Sequence, residues 1–378
     1  MKLDLSPGAG EKTKGSFWSL SFLDVYLWPM QQEFKLTEYS KGGGCGCKIA
    51  PSVLEQIVRT ENKFPFEKLL VGNDSNDDAA VYQVNGDTAI ISTTDFFMPI
   101  VDDAFDFGRI AAANSISDIY AMGGTPMMAI AILGWPIDRL PVEVAQKVLE
   151  GARAICKQVN IPLAGGHSID SQDPIFGLAV TGSAALKNLK KNNTAQAGDF
   201  LFLTKAIGVG IVSTSVKRKL IKEEHYKALV KQLTTVNTIG EALGKIEGVH
   251  AMTDVTGFGL LGHLTEMAEG SGVSAELQYA SFKRVPGVEE YIQKKTIPGA
   301  TARNWNSYSN NVEVGKGIDE AEAKLLLPDP QTNGGLLIAV SEDSVEEVTK
   351  VMKENNLQDF IDPIGRCVEK RDKVIYVI

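Results

Sequence analysis

The chain has 378 residues, of which 44% are hydrophobic and 22% charged, with 36 glycines. That composition belongs to a globular protein long enough for two cores, and it excludes a disordered or fibrous one. Its 38 basic and 47 acidic residues leave a net charge of −9, no electrostatic footprint for nucleic acid or an anionic membrane, so neither is expected as a partner. An anionic substrate must find its positive charge locally.

Four cysteines, two of them one residue apart at Cys45 and Cys47, do not make a disulfide framework, and a reducing, cytoplasmic setting fits them better. No apolar run reaches the roughly 18 to 20 residues of a membrane span; the nearest, 127–135, has the length of a strand. Residues 17–30, FWSLSFLDVYLWPM, follow Lys12 and Lys14 as a signal peptide would, but Asp24 interrupts them and no small-residue cleavage site follows. Residues 1–29 read as an appended segment outside the core fold, because a Gly/Pro/Lys-rich start passes into an aromatic stretch with no clear period.

From Lys41 to Lys48 runs a glycine-rich loop, and a short helix pattern begins near Pro51 with Leu54, Ile57 and Val58 on one face. Two strand-like runs, 79–84 and 88–95, are joined by Asn85-Gly86, a hairpin signal that makes them antiparallel neighbours. A helix over about 106–122 ends at Gly123-Gly124. The run MMAIAILGW reads as a buried strand; a helix at 142–159 and the strands IPLAGG and FGLAVTGSAAL complete a first αβ unit near Leu186. The polar stretch 187–193 reads as a linker. Beyond it come strand FLFLTK, a helix near 224–243, strand HAMTDV, a helix over 260–268, strand GGLLIAV, and a closing helix and strands. The domain expectation is therefore 30–186 and 187–378, an α/β (α+β) protein of two similar halves.

The densest chemical signal is SKGGGCGCK, 40–48, whose three consecutive glycines let the backbone approach a phosphate closely. It is not a P-loop, since Cys47 precedes Lys48 and Ile49 follows it. A flexible surface loop is the plain alternative, but two thiols and a lysine within four positions argue for a use. Half a zinc site is a further reading, against which Cys156 and Cys367 have no cysteine or histidine near them in sequence.

Carboxylates at the ends of elements form the second signal. GNDSNDD, 72–78, spaces Asp74, Asn76 and Asp78 as a calcium loop would, yet Ala79 and Asn85 occupy the positions that need glycine and glutamate. Asp95 closes a strand, Asp118 lies one helical turn after Asn114 in the apolar context NSISDIYAM, and Asp254 ends a short apolar strand. Any one alone reads as a solvated surface group. Together they require compensating charge, which magnesium bridged to substrate phosphates would supply. TGFGLLG, 256–262, contains G-x-G-x-x-G before a helix, with Glu276 further on; a lone match of this kind fits a dinucleotide site weakly and a phosphate-facing helix start equally. LAGGHSID, 163–170, places His167 beside two glycines and a serine, suited to structure or to a phosphate or ribose contact.

Taken in order, LTEYSKGGGCGCKIAPSVL, VGNDSNDDAAVY, ISTTDFFMPIVDD, NSISDIYAMGG, LAGGHSID, AMTDVTGFGLLGHLTEMAEGSGV, PGVEEYI and DPQTNGGLL resemble the motifs of the selenophosphate synthetase (selenide, water dikinase) family over about residues 35–370. The resemblance implies a two-domain fold of the aminoimidazole ribonucleotide synthetase type, whose N-terminal halves pair into a β-barrel in a homodimer. It implies the reaction of ATP, selenide and water to give selenophosphate, AMP and orthophosphate, which supplies activated selenium for selenocysteine and selenouridine. By motif, Cys45 is the catalytic thiol and Lys48 a catalytic and phosphate-contacting residue. Asp78, Asp118 and Asp254 match ligands of Mg2+. Ser75, Asn76, Asp77, Asp95, Asp118, Gly166, His167 and Ser168 match ATP contacts, the last three reaching across the dimer. Beside Lys48 the Cys45 thiol is expected to have a lowered pKa. The same fold serves other ATP-dependent enzymes and could serve a silent ATP-binding regulator, but the former have no reason for GCGCK and the latter is expected to have lost Cys45.

Overall fold

The structure is a computed structural model that describes residues 34–40, 42–49, 51–58, 66–72 and 77–378. The appended segment expected at 1–29 therefore lies outside the described residues. The first half holds strands β1 (Leu69–Val71), β2 (Ala80–Asn85), β3 (Thr88–Phe97), β4 (Thr125–Trp135), β5 (Leu163–Asp170) and β6 (Ile175–Ala185), with helices α1 (Pro51–Val58), α2 (Ala104–Ala121) and α3 (Val142–Gln158). The strands form one sheet in the order β1-β2-β3-β6-β4-β5. The Asn85-Gly86 hairpin is present: β2 and β3 pair antiparallel, and Gly86 takes a φ of +41° in the turn.

The apolar run in β4 reads from its sequence as a buried strand. Instead Met127, Met128 and Ile130 are 49%, 45% and 45% exposed, while Ala129 and Ala131 point into the core. Both faces of this strand are apolar, which hides its alternation from the sequence. The bare face continues on the neighbours, where Ile130 lies opposite Ala179, Ala179 opposite Thr94, and Gly177 opposite both Ile132 and Phe96.

The second half contains α4 (Val209–Lys217), α5 (Glu223–Thr234), α6 (Ile239–Gly244), α7 (Gly259–Gly270), α8 (Val288–Gln293), α9 (Gly299–Tyr308), α10 (Glu320–Leu326) and α11 (Val345–Glu354). Its strands are β7 (Phe200–Leu203), β8 (Val249–Asp254), β9 (Ser274–Leu277), β10 (Val312–Val314), β11 (Leu336–Val340), β12 (Gly365–Val368) and β13 (Ile375–Val377). They are ordered β10-β13-β9-β12-β7-β11-β8. β8 sits at the sheet edge, antiparallel to β11. The glycine pattern at 257–262 thus opens α7 without the parallel β-α-β crossover of a dinucleotide fold, and that reading is set aside. The single helix expected near 224–243 is two, because Thr235 turns extended after α5 and its carbonyl accepts from the side chains of Lys205 and Asn333.

Helix α2 joins the two halves. The Asp103 side chain caps it by accepting from the Asp106 N–H, and most of its residues are buried. Phe107, Ile110, Ile116 and Ile119 are fully inaccessible, each contributing about 1.5–3 kcal/mol of apolar transfer. One side of the helix packs on β3 and β6, another on α3, and the far side on α5, α6 and β8. Its crossing with α3 is a backbone contact: a Cβ on Gly151 would overlap the Phe105 carbonyl, and one on Gly108 the Val148 carbonyl. In an ordinary helix Gly→Ala stabilises by about 1 kcal/mol. Here Gly151→Ala should reverse that sign, costing about 1–3 kcal/mol by overpacking and lowering the melting temperature by several degrees. A raised melting temperature by calorimetry would show that the two helices have room to separate.

Candidate active site

Three strand and helix ends bring carboxylates together on the α2 seam. Asp78 stands just before β2, Asp118 faces inward from the last turn of α2, and Asp254 ends β8. One oxygen from each lies within 4.8 Å of the others. The Thr253 hydroxyl donates to Asp78 Oδ1 at 2.7 Å, and Thr93 Oγ1 donates to Asp118 Oδ2. These donors each hold one oxygen of the Asp78 and Asp118 carboxyls. Asp78 Oδ2 and Asp254 Oδ2 are buried with no hydrogen-bond partner among the described residues.

Burial raises the pKa of all three carboxyls, and the neighbouring carboxylates add to it. Asp254 is pushed up to about 6. Orphaned buried oxygens converging on one point are the donor set of a hard divalent cation, which prefers oxygen ligands. The residues present fit that group.

Beside the cluster lies the glycine-rich segment, which forms a short 3-10 turn at Gly44–Cys47 rather than a free loop. Gly44 takes a φ of +54° and donates its N–H to the Met98 carbonyl at 2.9 Å. A side chain there would strike Thr332 Oγ1, so both conformation and space demand glycine. The turn buries Cys45, leaving it 2% exposed. Its N–H donates to Thr332 Oγ1 at 2.9 Å, and its thiol donates to Asn114 Oδ1 at 3.3 Å. Asn114 Oδ1 also accepts the Asn333 N–H at 2.6 Å, while its Nδ2 donates to Asp95 Oδ2 at 2.6 Å. The amide is thereby fixed with its oxygen toward the thiol.

The lowered thiol pKa expected beside Lys48 is not found. Burial pushes the Cys45 thiol well up, Asp95 adds to the rise, and Lys48 offsets only part of it. Lys48 Nζ lies 3.9 Å from Asp95 Oδ1 and 5.9 Å from the Phe258 ring centre, and Asp95 is the largest cause of its raised pKa. Cys47 is half-buried, with its thiol also raised by burial.

Asp77 sits next to the cluster and accepts the Asp78 N–H at 3.1 Å. Gly166, His167 and Ser168 lie exposed on β5, the edge strand beyond β4, and no hydrogen bond of the carboxylate cluster reaches them among the described residues. Ser75 and Asn76 fall outside the described residues. The sequence reading did not single out Thr332 and Asn333, although both lie in DPQTNGGLL. It also passed over a buried group behind Lys48. There His263 Nε2 accepts the Thr256 N–H at 3.1 Å, and burial holds the ring neutral, down to about 3. The Tyr308 hydroxyl donates to Glu266 Oε1 at 3.3 Å.

Two halves meeting along one buried helix, with the carboxylates on the seam, define the class. Residues 76–184 match the family described as AIR synthase related protein, N-terminal domain, and residues 196–378 the corresponding C-terminal domain. Thiamine-monophosphate kinase from Stenotrophomonas maltophilia K279a shares the fold at a TM-score of 0.60 and 20% identity, covering 86% of this chain and 93% of that one. Hydrogenase maturation protein HypE in complex with ATP does so at 0.59 and 16% identity, covering 91% and 94%.

Nearer relatives narrow the class. Selenide, water dikinase of Pseudomonas putida KT2440 is 51% identical over 92% of this chain and 100% of its own length. The proteins of that name from Salmonella typhi and Escherichia coli K12 are 54% and 53% identical, each over 90% of this chain and 97% of theirs. The chain belongs to the selenide, water dikinase family and is an enzyme of the kinase type.

Glu266 gives the site a measurable pH signature. Burial raises its carboxyl from 4.5 to about 7, against the Tyr308 hydrogen bond and Lys48. An acid with a raised folded pKa favours the folded state when protonated, so its contribution is present below pH 4.5 and is lost as pH rises to 7. Glu266→Gln removes this dependence. The stability of the variant relative to the unmodified protein, followed by thermal or urea unfolding, should therefore climb between pH 4.5 and pH 7 by at most about 1.4 kcal/mol per pH unit and level off above it. Parallel stability curves would place Glu266 in contact with solvent.

Proposed function

We propose that this chain makes selenophosphate from selenide, ATP and water, releasing AMP and orthophosphate, with magnesium held by Asp78, Asp118 and Asp254. The observation that carries the reading is the convergence of these three carboxylates beside Lys48 and the buried Cys45. Magnesium, when bound, neutralises the nucleotide phosphates and lets the polyphosphate approach an acidic site.

The chain's own residues do the rest. Lys48, paired with Asp95, is placed to bind phosphate oxygen as a point charge. Asp95 is held by Asn114 and, through its backbone carbonyl, by the Ser115 hydroxyl. Asp77 and the segment containing Ser75 and Asn76 adjoin Asp78 and are assigned to the nucleotide. Cys45 is the only thiol at the cluster among the described residues, and soft sulfur is the group suited to selenium. In the arrangement described it is a protonated thiol whose proton rests on Asn114 Oδ1, so the reacting form requires that proton to leave.

A homodimer is part of the same proposal. Tyr82, Phe96 and Ile130 stand 46%, 53% and 45% exposed on one face of the first sheet, an apolar surface of the kind that pairing covers. Gly166, His167 and Ser168 at its edge are then available to a partner's nucleotide. All four cysteines are free, which supports a cytoplasmic setting.

Two variants test the chemistry. Cys45→Ser keeps size and polarity while removing softness, so ATP affinity should persist while selenide-dependent AMP formation falls by about a hundredfold or more; Cys47→Ser should retain activity. A fully active Cys45→Ser enzyme would leave lysine and carboxylates as sufficient. Asp118→Asn removes one charge from the cluster and should abolish the magnesium dependence of binding a non-hydrolysable ATP analogue, measured by calorimetry. Unchanged magnesium dependence would put the cation elsewhere.

A further inference from the structure

Lys205 is a charged residue type in a place where charge is expensive. It follows β7, is 6% exposed, and burial lowers its pKa to about 7. No carboxylate binds its amino group directly among the described residues. Instead Nζ donates to the Asn333 carbonyl at 2.8 Å and to the Thr235 carbonyl at 2.7 Å. The side chain of Asn333 clasps the same neighbour, with Nδ2 donating to the Leu233 and Thr235 carbonyls at 2.7 and 2.9 Å. Asn333 holds a left-handed φ of +45°, a conformation that needs outside support in a residue with a side chain.

What this clasp fixes is the turn that faces Cys45. The Asn333 N–H is bonded to Asn114 Oδ1, the acceptor of the thiol, and the preceding Thr332 Oγ1 takes the Cys45 N–H. One residue on, the Gly334 carbonyl accepts from Asn237 Nδ2, which also reaches Ser117 Oγ. A path of direct hydrogen bonds therefore runs from Lys205 through Asn333 and Asn114 to the thiol, with no other charged side chain in it.

We infer that Lys205 is a positioning residue of the reaction, whose amino group pins the Thr332–Asn333 turn and so holds Cys45 in its buried place. It touches no reacting atom and acts through the turn. The inference takes its functional meaning from the role proposed for Cys45, but its test reads thiol protection and needs no turnover.

The experiment uses the full chain and its own cysteines. Cys156 and Cys367 are each 1% exposed, in α3 and β12, away from the turn, and they report on general unfolding. Lys205→Met keeps length and removes both donors; losing two hydrogen bonds of about 1 kcal/mol each should loosen the turn by about tenfold or more. Iodoacetamide labelling followed by peptide mass spectrometry should then show Cys45 alkylated about tenfold faster, with Cys156 and Cys367 unchanged. Lys205→Arg, which restores donors at that place, should return Cys45 most of the way to its original rate. Thr332→Val, which leaves Lys205 intact and removes the acceptor of the Cys45 N–H, should free Cys45 selectively as well. Equal protection of Cys45 in Lys205→Met overturns the inference. So does a parallel rise at all three cysteines, since Lys205 then serves the fold and not the turn. If Lys205→Met is recovered unfolded, Lys205→Gln, which keeps a shorter donor, is read by the same three cysteines.

Discussion

Three carboxylates held within 4.8 Å of one another on a buried seam are the constraint around which this protein is built. Like charges so close in a medium of low effective dielectric repel by several kcal/mol, and burial adds its own penalty. Lys48 does not cancel them, because its nearest carboxylate is Asp95, and Lys205 spends its donors on backbone carbonyls. Carboxylates so placed are driven toward their protonated forms unless positive charge offsets them, and their raised pKa values express that. A fold can hold such a group only on rigid elements. Hence Asp118 rides on a helix packed on every side, and Asp254 on a strand hydrogen-bonded to the fully buried β11.

The same rigidity explains how the thiol is kept. A solvated cysteine near a lysine on a glycine-rich loop would have a lowered pKa. Here the turn folds down until Gly44 meets Thr332, and the desolvation of sulfur outweighs the lysine's field. The acceptor offered to sulfur is an amide oxygen, which favours the S–H form over the anion. The thiol is thus held neutral and covered, and burial protects it from oxidation.

Much of this could be read from residue order. Asn85-Gly86 announced the hairpin, and the apolar setting of Asp118 announced a buried carboxylate. Elements whose sequence carries two periodicities were harder. β4 is apolar on both faces, so nothing in MMAIAILGW distinguishes core from an open sheet face. The break between α5 and α6 was also illegible, since it comes from Lys205 and from Asn333, 98 residues away from Thr235 in the chain. The thiol pKa was misjudged for a related reason: neighbours in sequence suggested Lys48 as the dominant influence, whereas burial by residues near 100, 114 and 332 decides it.

The division of labour within the structure follows. The seam, with α2 between two sheets, is shared in fold with thiamine-monophosphate kinase and HypE, chains at 20% and 16% identity. A scaffold common to such different proteins cannot by itself decide what receives a phosphoryl group. That choice must rest on the particular groups at the site. In this chain the Gly44–Cys47 turn and the Thr332–Asn333 turn that seals it lie beside the carboxylates, both anchored by side chains remote in sequence. Keeping the Cys45 thiol from water takes the second turn, so its burial depends on residues far apart in the chain, Cys45 and Thr332 being separated by 287 positions.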